Sequence, residues 1–207
     1  PQCVSASFEG ARWPLWPALP LAPYAHRKTI RREVGPGVWA FEQLLGIFYV
    51  HVPIRMTVIK MESGGLFVYA PVAPTVECLS LLQPLIDSYG PVRFIVLPSV
   101  ALEHKIFAGP FAREFPSADL YVTDKQYAFP LNLPAPFLGF PAGRIKTLPA
   151  TSQGSPRMWG GEFEHEVRVR IASSTSGSQR LPGVVRFVPT EVGVSPTRRF
   201  ARLLSHH

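Results

Sequence analysis

No stretch of this chain approaches the roughly 18 consecutive apolar residues that cross a membrane as a helix. The longest apolar run, Leu44 to Ile54, is interrupted by His51 and Pro53. Cysteine is almost absent. Cys3 and Cys78 are the only two, they lie far apart, and they form no C-x-x-C pair. Neither a disulfide framework nor a thiolate metal site is indicated, and Cys78 reads as a small buried hydrophobe on a helix face. No G-x-S-x-G, P-loop, G-x-G-x-x-G or H-E-x-x-H motif occurs, and no internal repeat shows. Charged residues make up only 17% of the chain, which argues against a disordered polyelectrolyte. The chain starts at Pro1 and not at Met, so a mature or trimmed form is expected, from which any targeting peptide would already be missing.

What is there suits one globular domain of ordinary size with a real core and a sticky surface. The 207 residues are 46% hydrophobic and 12% aromatic. The 23 prolines are spread over the whole length, so they mark many loops and no polyproline tract. The net charge of +7 favours solubility and acidic partners. Basic residues gather at His26-Arg27-Lys28 with Arg31-Arg32, and at Arg198-Arg199 with Arg202. No RRM, KH, zinc-finger or helix-turn-helix pattern accompanies them, so nucleic acid is not the expected partner. An acidic protein or an anionic membrane surface stays open.

Three regions follow from the pattern along the chain. Residues 1–30 read as an extended arm in which Trp13 and Trp16 seek a groove, on this domain or on a partner. Residues 31–196 form the domain, and 197–207 a basic tail. Within the domain, Val38–Phe41, Ile47–Val50, Met56–Met61 and Leu66–Ala70 are β-rich runs, the last two joined by a turn at Glu62–Gly65. Thr75 caps a helix over Val76–Ser88 in which Pro84 is expected to kink the axis, and Gly90-Pro91 ends it. A buried strand at Arg93–Leu97, a short helix at Phe107–Phe115 and a strand at Ala118–Val122 complete a βαβαβ order and imply a partly parallel sheet. Residues 127–143 are a proline-broken apolar loop that serves either as an interaction patch or as a lid on the core. Glu162–Ile171 alternates like a strand, Ser173–Arg180 reads as a flexible link, and Val184–Val188 is a last strand.

Several of these runs are distinctive: Ile30–Trp39 (IRREVGPGVW), Val52–Thr57 (VPIRMT), Leu66–Thr75 (LFVYAPVAPT), Leu102–Lys105 (LEHK) and Phe129–Pro134 (FPLNLP). Together they closely resemble the DUF4336 family, widespread in plants, algae and cyanobacteria, over roughly residues 15–200. The resemblance implies an α/β chain with a divergent metallo-β-lactamase-like fold: an αββα sandwich, degenerate and incomplete, with an extended N-terminal arm.

In hydrolases of that fold a strand-end loop carries His-x-His-x-Asp-His, whose side chains hold metal and activate water. On that spacing the present chain reads Ser99, Ala101, Glu103 and His104. Alanine has no donor atom and serine is no substitute for imidazole. A bridging carboxylate corresponds loosely to Glu191, and His165 sits on a strand among charged neighbours. Glu103, His104 and Glu191 are therefore vestigial ligand candidates. No catalytic residue and no cofactor is expected, with a single zinc or iron as the alternative. Relieved of a metal, His104 is expected to bond a loop carbonyl and, with Glu103, to fix the strand-to-helix turn.

The resemblance thus implies a non-catalytic interaction protein in the chloroplast. It would be a peripheral subunit or assembly factor of a thylakoid photosynthetic complex, with no transmembrane helix. Trp13, Trp16, Phe129, Pro134, Phe137, Leu138 and Phe140 are the candidate contacts. The alternative is a metal-dependent hydrolase with an unusual ligand set, acting on a thioester or phosphoester.

Overall fold

A computed structural model describes residues 21–22, 28–47, 50–99, 102–123, 140–141, 143–149, 159, 162–174 and 177–189. The strands are β1 (Leu21–Ala22), β2 (Ile30–Gly35), β3 (Val38–Ile47), β4 (Val50–Lys60), β5 (Leu66–Tyr69), β6 (Val92–Leu97), β7 (Asp119–Val122), β8 (Ile145–Thr147), β9 (Phe163–Ser174) and β10 (Gly177–Pro189). Helix α1 (Val76–Tyr89) joins β5 to β6, and α2 (Leu102–Glu114) joins β6 to β7. The main sheet runs β1-β3-β4-β5-β6-β7-β8, with β2 also paired to β3. Pairing is antiparallel from β2 to β5 and parallel from β5 to β8. The parallel half is what the two helical crossovers require.

Alternation along the strands gives the sheet two apolar faces. Register puts Trp39, Val58, Val68, Ile95 and Leu120 in one row. Both helices share that core, α1 through Cys78, Leu82 and Leu85 and α2 through Ile106, Phe107 and Phe111. On the opposite face Trp159 meets Phe67, Phe94 and Tyr121 with ring centroids 5.3, 5.2 and 4.5 Å away, all edge-on. This aromatic cluster buries the second face of the parallel half.

Local chemistry explains the ends of α1. The Cys78 amide donates to Thr75 Oγ1 at 3.1 Å, and Gly90, at φ 99°, donates its own amide to Ile86 O. The β4–β5 turn depends on Gly65, at φ +85°: a Cβ there would stand 2.6 Å from Arg93 Cδ and 2.7 Å from Pro91 O. Glu162 accepts from the Glu62 and Ser63 amides at 2.7 and 2.8 Å, tying the chain ahead of β9 to that turn. Ahead of β8, Arg144 donates to Ala112 O, Phe115 O, Pro116 O and Ala118 O. One guanidinium thus satisfies carbonyls at and beyond the C-terminus of α2.

Several sequence expectations need correction. Val38–Phe41 and Ile47 belong to β3 and Val50 to β4, two long strands that form one antiparallel ladder from Val38↔Ile59 to Ile47↔Val50; Phe48 and Tyr49 lie outside the described residues. Buried Gln43 interrupts the apolar alternation in β3 and hides its continuity. Strand β2 went unread because its side chains are exposed and lack an apolar face. Helix α2 begins at Leu102, five residues before Phe107, so Glu103 and His104 lie in its first turn and not in a loop. In the stretch 173–180 read as a link, residues 173–174 end β9 and residues 177–180 begin β10, with Ser178↔Ser173 and Arg180↔Ile171 paired. In the stretch read as an arm, Leu21 and Ala22 pair with Ile47 and Gly46 of β3, and Thr29 is buried.

Among the described residues, one helix layer covers one large sheet, and β9 with β10 makes a separate two-stranded sheet. No described helix is long and apolar enough to cross a membrane.

Candidate functional site

Parallel strands end together at an edge where open α/β sheets build their sites. Here that edge collects the residues after β5 (Ala70, Pro71), after β6 (Pro98, Ser99), after β7 (Thr123) and after β8 (Leu148). The ladder continues slightly past the strands, with Ala70 N donating to Val96 O at 2.9 Å and Leu148 N to Val122 O at 2.7 Å. Ala70 itself adopts φ 55°, a left-handed conformation that costs a non-glycine residue about 1 kcal/mol. The first turn of α2 lies next to this corner and brings Glu103, His104 and Lys105 with it.

His104 is only 6% exposed, and its Nδ1 stands 3.2 Å from Pro71 O. A carbonyl can only accept, so Nδ1 carries the proton in this contact. Burial pulls the His104 pKa below its ordinary value. The Pro71 carbonyl, the Glu103 charge and the Ala70 carbonyl pull the other way and do not win. The ring bridges the loop after β5 and the first turn of α2, and its bond to a loop carbonyl is the contact expected of it.

Beside it, Lys105 is only 1% exposed, and burial pushes its amine down to about 8. Sequence reasoning missed this residue. The only signal was its place directly ahead of Ile106-Phe107-Ala108, all buried. Tyr69, at the end of β5, has its phenol pKa raised by burial.

A second polar cluster braces the loop after β5. Gln43 Nε2 donates to Thr29 Oγ1 at 3.0 Å and to Ala73 O at 2.8 Å, while its Oε1 accepts from Ala73 N at 3.2 Å. Thr29 N donates to Glu77 Oε2 at 2.6 Å, and Thr29 Oγ1 meets Thr75 Oγ1 at 3.4 Å. These groups satisfy one another inside the protein and leave the Pro71–Thr75 segment little freedom.

Of the ligand positions described, Ser99 supplies a hydroxyl, His104 donates from Nδ1 to Pro71 O, and the Lys105 ammonium adds a cation to the same turn. Among the described residues no three His, Cys, Asp or Glu side chains converge on a point. Ala101, Glu191, Trp13, Trp16, Phe129, Pro134, Phe137 and Leu138 lie outside the described residues. The structure corrects Phe140: it is 4% exposed and belongs to the core shared by the two helices, so it is not a surface contact. Cys78 behaves as expected, buried and free, its thiol pushed up to about 12 by burial and by Glu77.

Two solved structures are similar to this chain, the first at a level that speaks for its architecture. A metallo-β-lactamase from Pontibacter korlensis superposes with a TM-score of 0.50 at 13% identity, over 77% of this chain and 66% of that one. A fragment (1–254) of the putative diflavin flavoprotein A 5 from Nostoc sp. PCC 7120 gives 0.49 at 10% identity, over 79% and 63%. The chain spans less than two thirds of the length of either. Comparison with curated protein sequences finds no match. The fold is metallo-β-lactamase-like, and identities this low speak for fold alone. The model of a domain of unknown function, DUF4336, matches residues 36–185, and the chain belongs to that family.

Proposed function

We propose that this chain is a non-catalytic interaction protein that keeps a metallo-β-lactamase-like scaffold and has lost its metal chemistry. The observation that carries the reading is the donor-poor ligand spacing: His104 is its one retained histidine, and among the described residues no three His, Cys, Asp or Glu side chains converge. The other two histidine positions hold Ser99 and Ala101. The setting implied by the family's occurrence in plants, algae and cyanobacteria is a chloroplast thylakoid complex, with this chain as a peripheral subunit or assembly factor. The excess of basic over acidic residues suits an acidic partner or an anionic membrane surface.

The test is native electrophoresis of solubilised thylakoids from a source organism, probed for this chain, alongside hydrolysis assays on the purified protein. The reading expects comigration with a larger complex and no zinc- or iron-dependent cleavage of phosphodiester or thioester substrates. Migration as a free monomer together with metal-dependent turnover would sink it.

A further inference from the structure

Strand β2 closes one side of the main sheet, and among the described elements it pairs only with β3. Its outer edge therefore offers main-chain donors and acceptors to an incoming strand. Ile30 is 41% and Val34 36% exposed, and every residue between them is exposed too. The strand is long enough for a several-residue ladder, contains no proline, and holds its register against β3 from Ile30↔Glu42 to Glu33↔Trp39.

Charge selects what such an edge accepts. Exposed Lys28 precedes the strand, and Arg31 and Arg32 stand on opposite faces of it. Arg31 reaches Leu81 O on α1 at 2.8 Å. Arg32 points to the other side, 3.5 Å from Glu42 and with 63% of its side chain exposed. Two copies of β2 paired antiparallel about the Arg31–Arg32 peptide would set arginine against arginine twice, whereas pairing about the Arg32–Glu33 peptide would set Arg32 against Glu33, so a second copy is the competing occupant that the test separates. Glu33 shares the face of Arg31, so an incoming strand meets complementary charge where its acidic residues stand opposite Arg31, Arg32 and Lys28.

We propose that β2 is a docking edge for an acidic, extended segment of a partner protein, which adds to the main sheet as a further strand. The inference rests on the reading of this chain as an interaction protein. Hydrolytic activity would overturn that reading alone, whereas the assay below reports on the edge itself.

The probe is a short capped peptide alternating glutamate and valine. It is compared with its lysine-for-glutamate counterpart and with a form N-methylated at adjacent central residues, which blocks both peptide edges. Amide chemical shifts and hydrogen exchange of the full chain report the site. The acidic peptide is expected to shift and protect amides of residues 30–35, and added salt to weaken it. The basic and N-methylated peptides, and the Arg31→Glu/Arg32→Glu variant, are each expected to bind at least about tenfold more weakly. Lys28→Glu, ahead of the strand, is expected to bind about threefold more weakly and keeps the charge test open if the double variant does not fold. No binding of the acidic peptide, equal binding of all three peptides, shifts mapping away from 30–35, or self-association through β2 would each overturn the proposal.

Discussion

His104 Nδ1 lies 3.2 Å from Pro71 O, and this contact joins the first turn of α2 to the loop that leaves β5. Both partners are buried, so breaking the contact strands a carbonyl away from water. His104→Ala is expected to destabilise the chain by about 1–3 kcal/mol in urea unfolding, through the orphaned acceptor and the space left by the ring. An unchanged midpoint would show that the ring carries no structural load.

The same histidine sets a pH dependence. Its folded pKa lies below the ordinary 6.5, so between the two values the unfolded chain binds more protons than the folded one. Stability is fully present above about pH 6.5 and declines as pH falls through that value toward the folded pKa. Urea midpoints at about pH 7.5 and 5.5 should fall further for the wild type than for His104→Ala. Parallel behaviour of the two proteins would contradict the assignment.

Lys105 gives the opposite end of the scale. With the folded amine at about 8 and its ordinary value at 10.5, the unfolded chain holds the extra proton between these values, and stability gains from Lys105 as pH rises through that window. Cys78, raised from 9.0 to about 12, works against it above pH 9. The difference between wild type and Lys105→Met isolates the lysine. The variant's relative advantage at pH 7 is expected to shrink as pH approaches 10.5. A constant difference across that range would mean that the amine titrates as though it were in water.

Gln43 is the hub of the buried polar cluster behind the loop after β5, with three hydrogen bonds to Thr29 and Ala73. Gln43→Leu keeps the volume and strands those partners, at a cost of about 2–4 kcal/mol. Amide exchange at Ala73 should accelerate with it. Retained protection at Ala73 would show that water or a neighbour replaces the amide.

Trp159 closes the aromatic cluster on the face of the sheet away from the helices. Trp159→Ala removes its contacts with Phe67, Phe94 and Tyr121 and should destabilise by about 3–5 kcal/mol. Near-ultraviolet circular dichroism should lose intensity along with stability. A loss under about 1 kcal/mol would place the burial of those rings on other residues.

Sequence reading reached some of this architecture and missed other parts for identifiable reasons. The cap at Thr75, the strand pair β5–β6 and the helix between them are local, and their signals sit within a few residues. The Ser99–His104 spacing already displayed the missing donors. Gln43 and Lys105 were opaque because a polar residue in a core is explained by partners distant in sequence. Gln43, for instance, bonds across 14 and 30 positions. Arg144 was equally silent, since its role depends on carbonyls that α2 exposes only once folded. Glu103-His104-Lys105 looked like a polar loop and is a helical turn, two of whose three side chains are buried.

The central claim is that His104 belongs to the fold and not to a metal. It is tested most directly by elemental analysis of the purified wild-type chain after incubation with zinc and with iron, beside His104→Ala treated identically. The account predicts only sub-stoichiometric metal in both proteins, with no difference between them. Near-stoichiometric zinc or iron in the wild type, lost on replacing His104, would contradict it.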